Sequence, residues 1–367
     1  MKFVYDVDVE GFKKAVDKDV NLLCFGSGRY AEACYHVLDY YDILPFVKGF
    51  IDNDCTKWGM KFKVGSYSYP IMSFDSFVRT YNMHNTILLI TCADVTGVVN
   101  QIQESRLNDN IIVYIWQLIL SQSYGKTHSS TALIKHQNML IPKKIHYCWF
   151  GDKQIPDEHK RYIDGWHRLC PDYEIIQWNE SNYDVSKNRY MLQAYENKKW
   201  GFVPDYARLD IIYQHGGIYL DTDVELLKNL DSLLYQEAFA GIHIRRYISL
   251  GLAFGAKREH NFIKELRDYY DEIDFVDEKG QINMTACDLH QYNVLKKYKF
   301  RLDNSFQQIK GLSIYPTDYF DGMDSYTKQL HINENTFSVH HNSVSWFTAQ
   351  MRTEMNNRLQ FFREILG

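Results

Sequence analysis

The sequence predicts an α/β protein in two parts. A Rossmann-like parallel sheet is expected over 1–122, a linker over 123–140, and a second α/β domain over 141–367. Three observations carry this. Strand-like and helix-like stretches alternate through the first 120 or so residues, the pattern of a doubly wound sheet. A polar stretch rich in Ser, Thr and His then lacks any period. Alternation resumes at Ile141, ahead of two glycines, a short apolar strand and a carboxylate pair.

A chain of 367 residues is long enough for two cores. Its 45% hydrophobic and 24% charged content is that of a globular protein. A net charge of −5 gives no reason to expect nucleic acid, and an anionic ligand would need local help from a metal, an Arg or a helix N-terminus. Aromatic residues reach 15%, which suits a carbohydrate-handling surface and equally a plain Tyr bias. Met1–Glu10 is mixed and acidic, so no secretory leader is expected. The longest apolar run, about Ile111–Leu120, is too short to cross a bilayer. Seven cysteines without a CxxC pair read as reduced thiols, so a cytoplasmic location is expected, with peripheral membrane contact left open.

In the first part, strands are expected at Asn21–Phe25, Phe46–Ile51, Thr86–Thr91 and Ile111–Ile115, with helices at Arg29–Tyr41 and Val95–Glu104. Gly26-Ser27-Gly28 follows the first strand and fits G-x-G-x-x-A, and Asp52 lies 24 residues beyond Gly28, where a nucleotide-binding unit puts its ribose-binding acid. The glycines serve the strand-to-helix turn in any case. Gly49–Asp54 with Trp58-Gly59 resembles the small Rossmann-like modules fused to bacterial sugar-modifying enzymes.

In the second part, Pro142 opens a strand that ends in the aromatic loop His146–Gly151. Pro156–Leu169 reads as an amphipathic helix, Tyr173–Trp178 as a strand, and Asp205–His215 as a helix stopped by Gly216. Later strands are expected at Leu250–Gly255, Gly311–Pro316 and Thr336–His340, and helices at Asn261–Tyr270 and Thr285–Tyr298.

Gly216-Gly217-Ile218-Tyr219-Leu220-Asp221-Thr222-Asp223 is the stretch around which the chain is organised. Asp-x-Asp occurs four times, and only this copy follows a glycine pair and an apolar strand. On an extended backbone Asp221 and Asp223 share a side, so two hard oxygen donors can hold one Mg²⁺ or Mn²⁺ and, through it, a diphosphate. Asp205 and Arg208 share a helix face just upstream and read, taken alone, as a surface ion pair.

Residues 141–347 resemble the bacterial capsular-polysaccharide glycosyltransferases that group with yeast α-mannosyltransferases in glycosyltransferase family 32, and more distantly the glucosylating clostridial toxins. The resemblance rests on Ile141–Gly151, Cys170–Tyr173 with Trp178-Asn179, Asp205–Arg208 through Asp223, and His340-His341 with Ser345-Trp346. It implies a GT-A fold, a nucleotide-sugar donor, a divalent metal and retention of anomeric configuration. His146, Tyr147, Trp149, Phe150, Gly151 and Trp178 would then lie at the base and ribose. Asp205 and Arg208 would meet the donor's sugar hydroxyls, with Arg208 free to reach phosphate. Asp221, with Thr222 beside it, would contact ribose, sugar and metal. Asp223 would ligate the metal directly, and one of His340 and His341 would complete the site, His340 being favoured. Ser345 and Trp346 would close over the diphosphate.

The expected donor is a UDP-hexose, galactose or glucose, with GDP-mannose an alternative. The expected acceptor is a saccharide or lipid-linked oligosaccharide in capsule or cell-surface polysaccharide synthesis. Arg245-Arg246 and Lys296–Lys299 are basic stretches able to approach anionic lipid, their plainer reading being a solvated helix end. Three rival functions remain. A nicotinamide-dependent enzyme would use the first glycine turn, and a non-catalytic sugar-nucleotide scaffold would need no turnover. A glycoside hydrolase needs carboxylates set across a bond, which Asp221 and Asp223 are too close to provide.

Overall fold

The computed structural model describes residues 2–81, 85–105, 107, 111–124, 133–343 and 348–366. The chain divides into two compact units. One comprises 1–124, 326–328 and 347–367, and the other 125–325 and 329–346.

The first unit runs β1 (Lys2–Val4), α1 (Val9–Ala15), β2 (Asn21–Phe25), α2 (Arg29–Tyr40), β3 (Val47–Ile51), β4 (Lys61–Val64), β5 (Tyr67–Met72), α3 (Phe74–Thr80), β6 (Thr86–Ile90), α4 (Val95–Glu104), β7 (Ile112–Ile115) and α5 (Trp116–Gln122). The sheet order is β1-β7-β6-β2-β3-β5-β4, parallel throughout except for the β4–β5 hairpin at one edge. This is the expected doubly wound sheet. Its central strands are apolar runs buried on both faces, as a covered parallel sheet requires.

The glycine turn between β2 and α2 is structural. Gly26 has φ +119°, and a Cβ there would lie 2.8 Å from Cβ of Cys92. The acid placed to meet a ribose is already occupied. Asp52 Oδ2 accepts from Ser27 N–H (3.0 Å), Ser27 Oγ (2.5 Å) and Lys57 Nζ (3.0 Å), and Oδ1 accepts from Asp54 N–H (2.9 Å). Trp58 Nε1 donates to the Asp52 carbonyl (2.7 Å), so the Trp58-Gly59 pair folds back onto the end of β3. With its lone pairs filled, Asp52 has little left to offer ribose hydroxyls.

The second unit runs β8 (Lys144–Cys148), α6 (Asp157–Leu169), β9 (Glu174–Trp178), α7 (Arg189–Glu196), α8 (Pro204–His215), β10 (Gly217–Tyr219), β11 (Val224–Leu226), β12 (Ala238–Ile242), β13 (Ile248–Ala256), α9 (Asn261–Asp268), α10 (Cys287–Leu295), β14 (Gln307–Ile309), β15 (Leu312–Tyr315), α11 (Thr317–Phe320) and β16 (Ser338–His340). A mixed sheet takes the order β14-β15-β12-β13-β10-β8-β9, and β11 pairs separately with β16. Its core gathers Ile145, Ile218, Leu220, Leu252, Tyr315 and Phe320 around the fully buried Trp166, whose Nε1 donates to the Val224 carbonyl (2.8 Å).

Two features differ from the sequence reading of the domains. Residues 136–141, partly assigned to a linker, hydrogen-bond to Leu234 and Tyr235 and belong to the second unit. The C-terminal helix α12 (Ala349–Leu366), counted with the second domain, packs on α4 in the first unit and buries Leu359 and Phe362. Apart from those two, its residues are largely polar, which hid a packing face from periodicity alone.

Gly216 and Gly217 do what the sequence asked of them. Their φ values are +63° and +105°. A Cβ on Gly217 would sit 2.9 Å from both His146 Nε2 and the Lys144 carbonyl oxygen. Gly217→Ala should therefore destabilise the second unit by about 1–2 kcal/mol from backbone conformation alone, with the clash adding to it. A lower urea unfolding midpoint for the variant is the expected outcome.

Candidate active site

β10 lies between β8, to which it is parallel, and β13, to which it is antiparallel; Tyr219 stands opposite His146 and Phe254. The strand stops at Tyr219, and Asp221-Thr222-Asp223 forms a turn closed by Val224 N–H to the Asp221 carbonyl (3.0 Å). The carboxylates are thus brought together by a turn and not by the pleat of an extended strand. β16 returns antiparallel to β11 with His340 opposite Val224, which carries the imidazole to the same point. One ligand atom from each of Asp221, Asp223 and His340 lies within 4.8 Å of the others. His340 Nε2 is 3.3 Å from Asp223 Oδ1. Two carboxylates and one imidazole suit Mn²⁺ or Mg²⁺, so the residues fit the expected cation.

Adjacent histidines diverge, as the sequence required. His341 Nε2 lies 2.9 Å from Glu225 Oε2, and its ring stacks on Tyr162 with centroids 4.5 Å apart. It stands outside the converging group.

The electrostatics follow from this packing. Burial alone would raise Asp223, but His340 and hydrogen bonds from Ser343 N–H (2.8 Å) and Ser343 Oγ (2.9 Å) hold it far below the ordinary carboxylate range. His340 moves the other way: burial opposes its charge, yet Asp223 raises it above 6.5. Asp221 is raised by desolvation, pulled back by Arg208 and raised again by Asp223.

Asp205 and Arg208 are not on a helix surface. Most of α8 is buried, with Asp205 and Arg208 only 3% and 4% exposed. The Arg208 guanidinium spans Asp205 Oδ1 (3.4 Å) and Asp221 Oδ2 (3.5 Å), donates from Nε to the Pro204 carbonyl, and lies over the Tyr219 ring. Burial pushes Asp205 up to about 7 despite Arg208. Arg208 therefore links the helix pair to the carboxylate turn.

Sequence reasoning missed three supporting residues. Gly251 on β13 accepts from Asp221 N–H (3.1 Å), and a Cβ there would fall 2.1 Å from Asp221 Oδ2. A glycine inside a strand is a sign of such close approach. Tyr219 donates its hydroxyl to Asp221 Oδ1 (3.1 Å). Ser343 anchors Asp223 from just beyond the histidines.

Several residues assigned to nucleotide contact make contacts within the unit. His146 has no exposed surface. Its Nε2 meets the Gly216 carbonyl (2.9 Å), its Nδ1 accepts from Trp178 Nε1 (3.1 Å), and burial drives it down to about 4. Trp178 packs against His146, His215 and Tyr183. Tyr147 packs on Trp166 and donates to Gln177, and Phe150 packs on Tyr183. Thr222 is paired with His159 Nδ1 (2.9 Å). Trp149 and Gly151 do line a cavity of about 470 Å³, with Lys153, Lys160, Gln177 and Asn179, at the carboxyl ends of β8 and β9. Ser345 and Trp346 lie outside the described residues. At the β12–β13 hairpin Arg246 is buried, 4% exposed, and Arg245 is partly exposed with its Nη2 paired to Asp288 (2.6 Å).

Fold and site together bring two carboxylates and one histidine, a set able to hold a divalent cation, to the end of a central strand. Residues 156–240 match the family model described as the glycosyltransferase sugar-binding region containing a DXD motif. Inositol phosphoceramide mannosyltransferase 3 of Schizosaccharomyces pombe is 30% identical over 145 residues, 36% of this chain and 38% of that protein. Mannosyl phosphorylinositol ceramide synthase SUR1 of Saccharomyces cerevisiae is 33% identical over 147 residues, 37% of each chain. The chain thus spans under two-fifths of either relative, and both are fungal mannosyltransferase-type proteins and not bacterial capsule enzymes. The solved PaToxG glycosyltransferase gives a TM-score of 0.36 at 14% identity, covering 61% of this chain and 87% of that one. No helix among the described residues is long and apolar enough to cross a membrane.

Cation binding needs His340 neutral, so protons compete for Nε2. Mn²⁺ affinity should fall by close to tenfold per pH unit below the raised His340 value and level off above it. In the cation-free protein the signs differ. Asp223 stabilises above 3.8, and His340 stabilises below 6.5 and loses this as pH rises through its raised value. Calorimetric Mn²⁺ titration across pH 5.5–8.5 (roughly that window) checks the slope.

Proposed function

We propose that the second unit is a GT-A glycosyltransferase that moves a hexosyl group from a nucleotide sugar to a hydroxyl, with retention of configuration. The observation that carries this is the convergence of Asp221, Asp223 and His340 with Arg208 reaching from Asp205 to the same turn. A divalent cation held by those three would supply Lewis-acid stabilisation of a departing diphosphate. The chain's own residues do the rest. Arg208 is fixed by Pro204, Asp205 and Tyr219, so its donors are oriented before a phosphate arrives. Asp205 and Asp221 present oxygen acceptors to sugar hydroxyls. Trp149, at the cavity rim, supplies a face for a nucleobase, and ligand sites at the carboxyl ends of parallel strands are the rule for α/β sheets.

No side chain in this set stands apart as a covalent nucleophile, which favours transfer on the face that the diphosphate leaves. The relatives named for inositol phosphoceramide support an acceptor hydroxyl on a lipid-linked sugar or cyclitol. Such an acceptor fits a cytoplasmic enzyme working at the inner membrane face. A capsule or cell-surface polysaccharide repeat belongs to the same chemical class. The donor is a UDP-hexose, galactose or glucose, with GDP-mannose the alternative that the mannosyl names of the relatives support.

The test is release of nucleoside diphosphate from UDP-galactose, UDP-glucose, UDP-N-acetylglucosamine and GDP-mannose, with Mn²⁺ or with EDTA. Slow release from one donor is expected, lost with EDTA and reduced roughly 10²–10³-fold in Asp223→Ala, the scale of losing a main charge-stabilising group. Mn²⁺-dependent nucleotide binding without release from any donor would make the protein a scaffold.

A further inference from the structure

The buried face of α6 consists of His159, Ile163 and Trp166, and His159 is 6% exposed. An imidazole costs more to bury than the hydrocarbon such a face ordinarily presents, unless it gains a hydrogen bond. His159 has one: its Nδ1 lies 2.9 Å from Oγ1 of Thr222, which is also buried. Thr222 stands between Asp221 and Asp223, the two carboxylates of the candidate cation site. Two helical turns further along α6, Trp166 Nε1 donates to the Val224 carbonyl (2.8 Å). The helix therefore grips the chain on either side of Asp223. The His159 ring also meets Trp149 edge to face, with centroids 5.9 Å apart and planes at 86°. Trp149 is itself held, its Nε1 donating to the Lys153 carbonyl (2.5 Å), and it lines the cavity of about 470 Å³ together with Lys160, the next residue of α6.

We infer that His159 is a positioning residue: it braces Trp149 against Thr222 and so fixes the distance between the nucleobase face and the cation turn. This rests on the proposed nucleotide-sugar site and adds a requirement to it. A nucleoside diphosphate has a set reach, with the base at one end and the cation-binding oxygens at the other. Both ends gain only where their two subsites stand at the matching separation, and a separation built in beforehand leaves less to be ordered on binding. Trp149 and Thr222 both lie past the paired residues of β8 and β10, so the sheet does not set their spacing by itself. A side chain from α6 that touches both supplies the tie. The ring serves Trp149 and the ring nitrogen serves Thr222, which is why an apolar residue would not do the same work.

The experiment compares a ligand that engages both ends with one that engages the cation alone. UDP and GDP are each titrated into the full chain with Mn²⁺ by calorimetry, and the one that the wild type binds more tightly is followed. Pyrophosphate with Mn²⁺ is the base-free probe. His159→Phe keeps a ring against Trp149 and removes the hydrogen bond to Thr222. It should weaken nucleotide binding about five- to tenfold and change pyrophosphate binding by less than about twofold. Thr222→Val leaves His159 in place, should show the same split, and carries the test if His159→Phe fails to fold. The two changes together should weaken binding no more than either alone, because the pair acts as a unit. Thr222→Ser keeps the hydroxyl and should bind both probes as the wild type does. Equal losses for nucleotide and pyrophosphate would mark a merely structural role and overturn the inference, as would unchanged nucleotide affinity in both variants. A wild-type chain that binds pyrophosphate but neither nucleotide would overturn it differently, by removing the nucleotide site beneath it.

Discussion

Two carboxylates that must stand within ligating distance of each other are the constraint around which the second unit is built. Held together away from bulk water, like charges raise one another's proton affinity and tend to be neutralised. The structure counters this without leaving the turn to collapse. Ser343 donates twice to Asp223, His340 approaches from β16, and Arg208 and Tyr219 engage Asp221 from below. The result is an asymmetric pair. Asp223 is held far below the ordinary carboxylate range, and Asp221, with 29% of its side chain exposed, is raised. A cation bound there would complete the balance, and a diphosphate is the kind of ligand that such a cation attracts.

The rest of the sheet is arranged to let that turn exist. Gly216 and Gly217 bring the chain off α8 at positive φ and close against Pro142 and Lys144. His146, neutral and locked between Gly216 and Trp178, acts as a polar rivet under the strand, and its burial explains its low proton affinity. Gly251 clears the space into which Asp221 and Arg208 project. These are backbone and packing devices.

How much of this was legible in the sequence depended on the physical kind of signal. Gly216-Gly217 before Ile218 gave the strand and its sharp entry, because positive φ is a local demand that glycine answers. The Asp221/Asp223 pair gave the cation chemistry, because the types and spacing of the donors are themselves the chemistry. The choice between His340 and His341 was half legible: alternation said that only one can serve, and pairing of β16 with β11 brings His340 inward. In the aromatic loop the sequence could not separate the buried His146, Tyr147 and Phe150 from Trp149, which lines the cavity. Arg208 and Asp205 were underestimated, because the surface reading of an i, i+3 ion pair assumes an exposed helix and α8 is buried on nearly every side. Ser343 carries no local pattern at all, and Gly251 only the general hint that a glycine inside a strand gives. Their roles come from strand pairing between segments far apart in sequence, which periodicity cannot report.

The central claim is that Asp221, Asp223 and His340, and not His341, form one cation site. Mn²⁺ binding measured side by side for the wild-type chain, His340→Ala and His341→Ala tests it most directly. The account predicts one Mn²⁺ per wild-type chain, an affinity lowered at least roughly tenfold in His340→Ala, and wild-type behaviour in His341→Ala. Loss of binding in His341→Ala with binding retained in His340→Ala would contradict it.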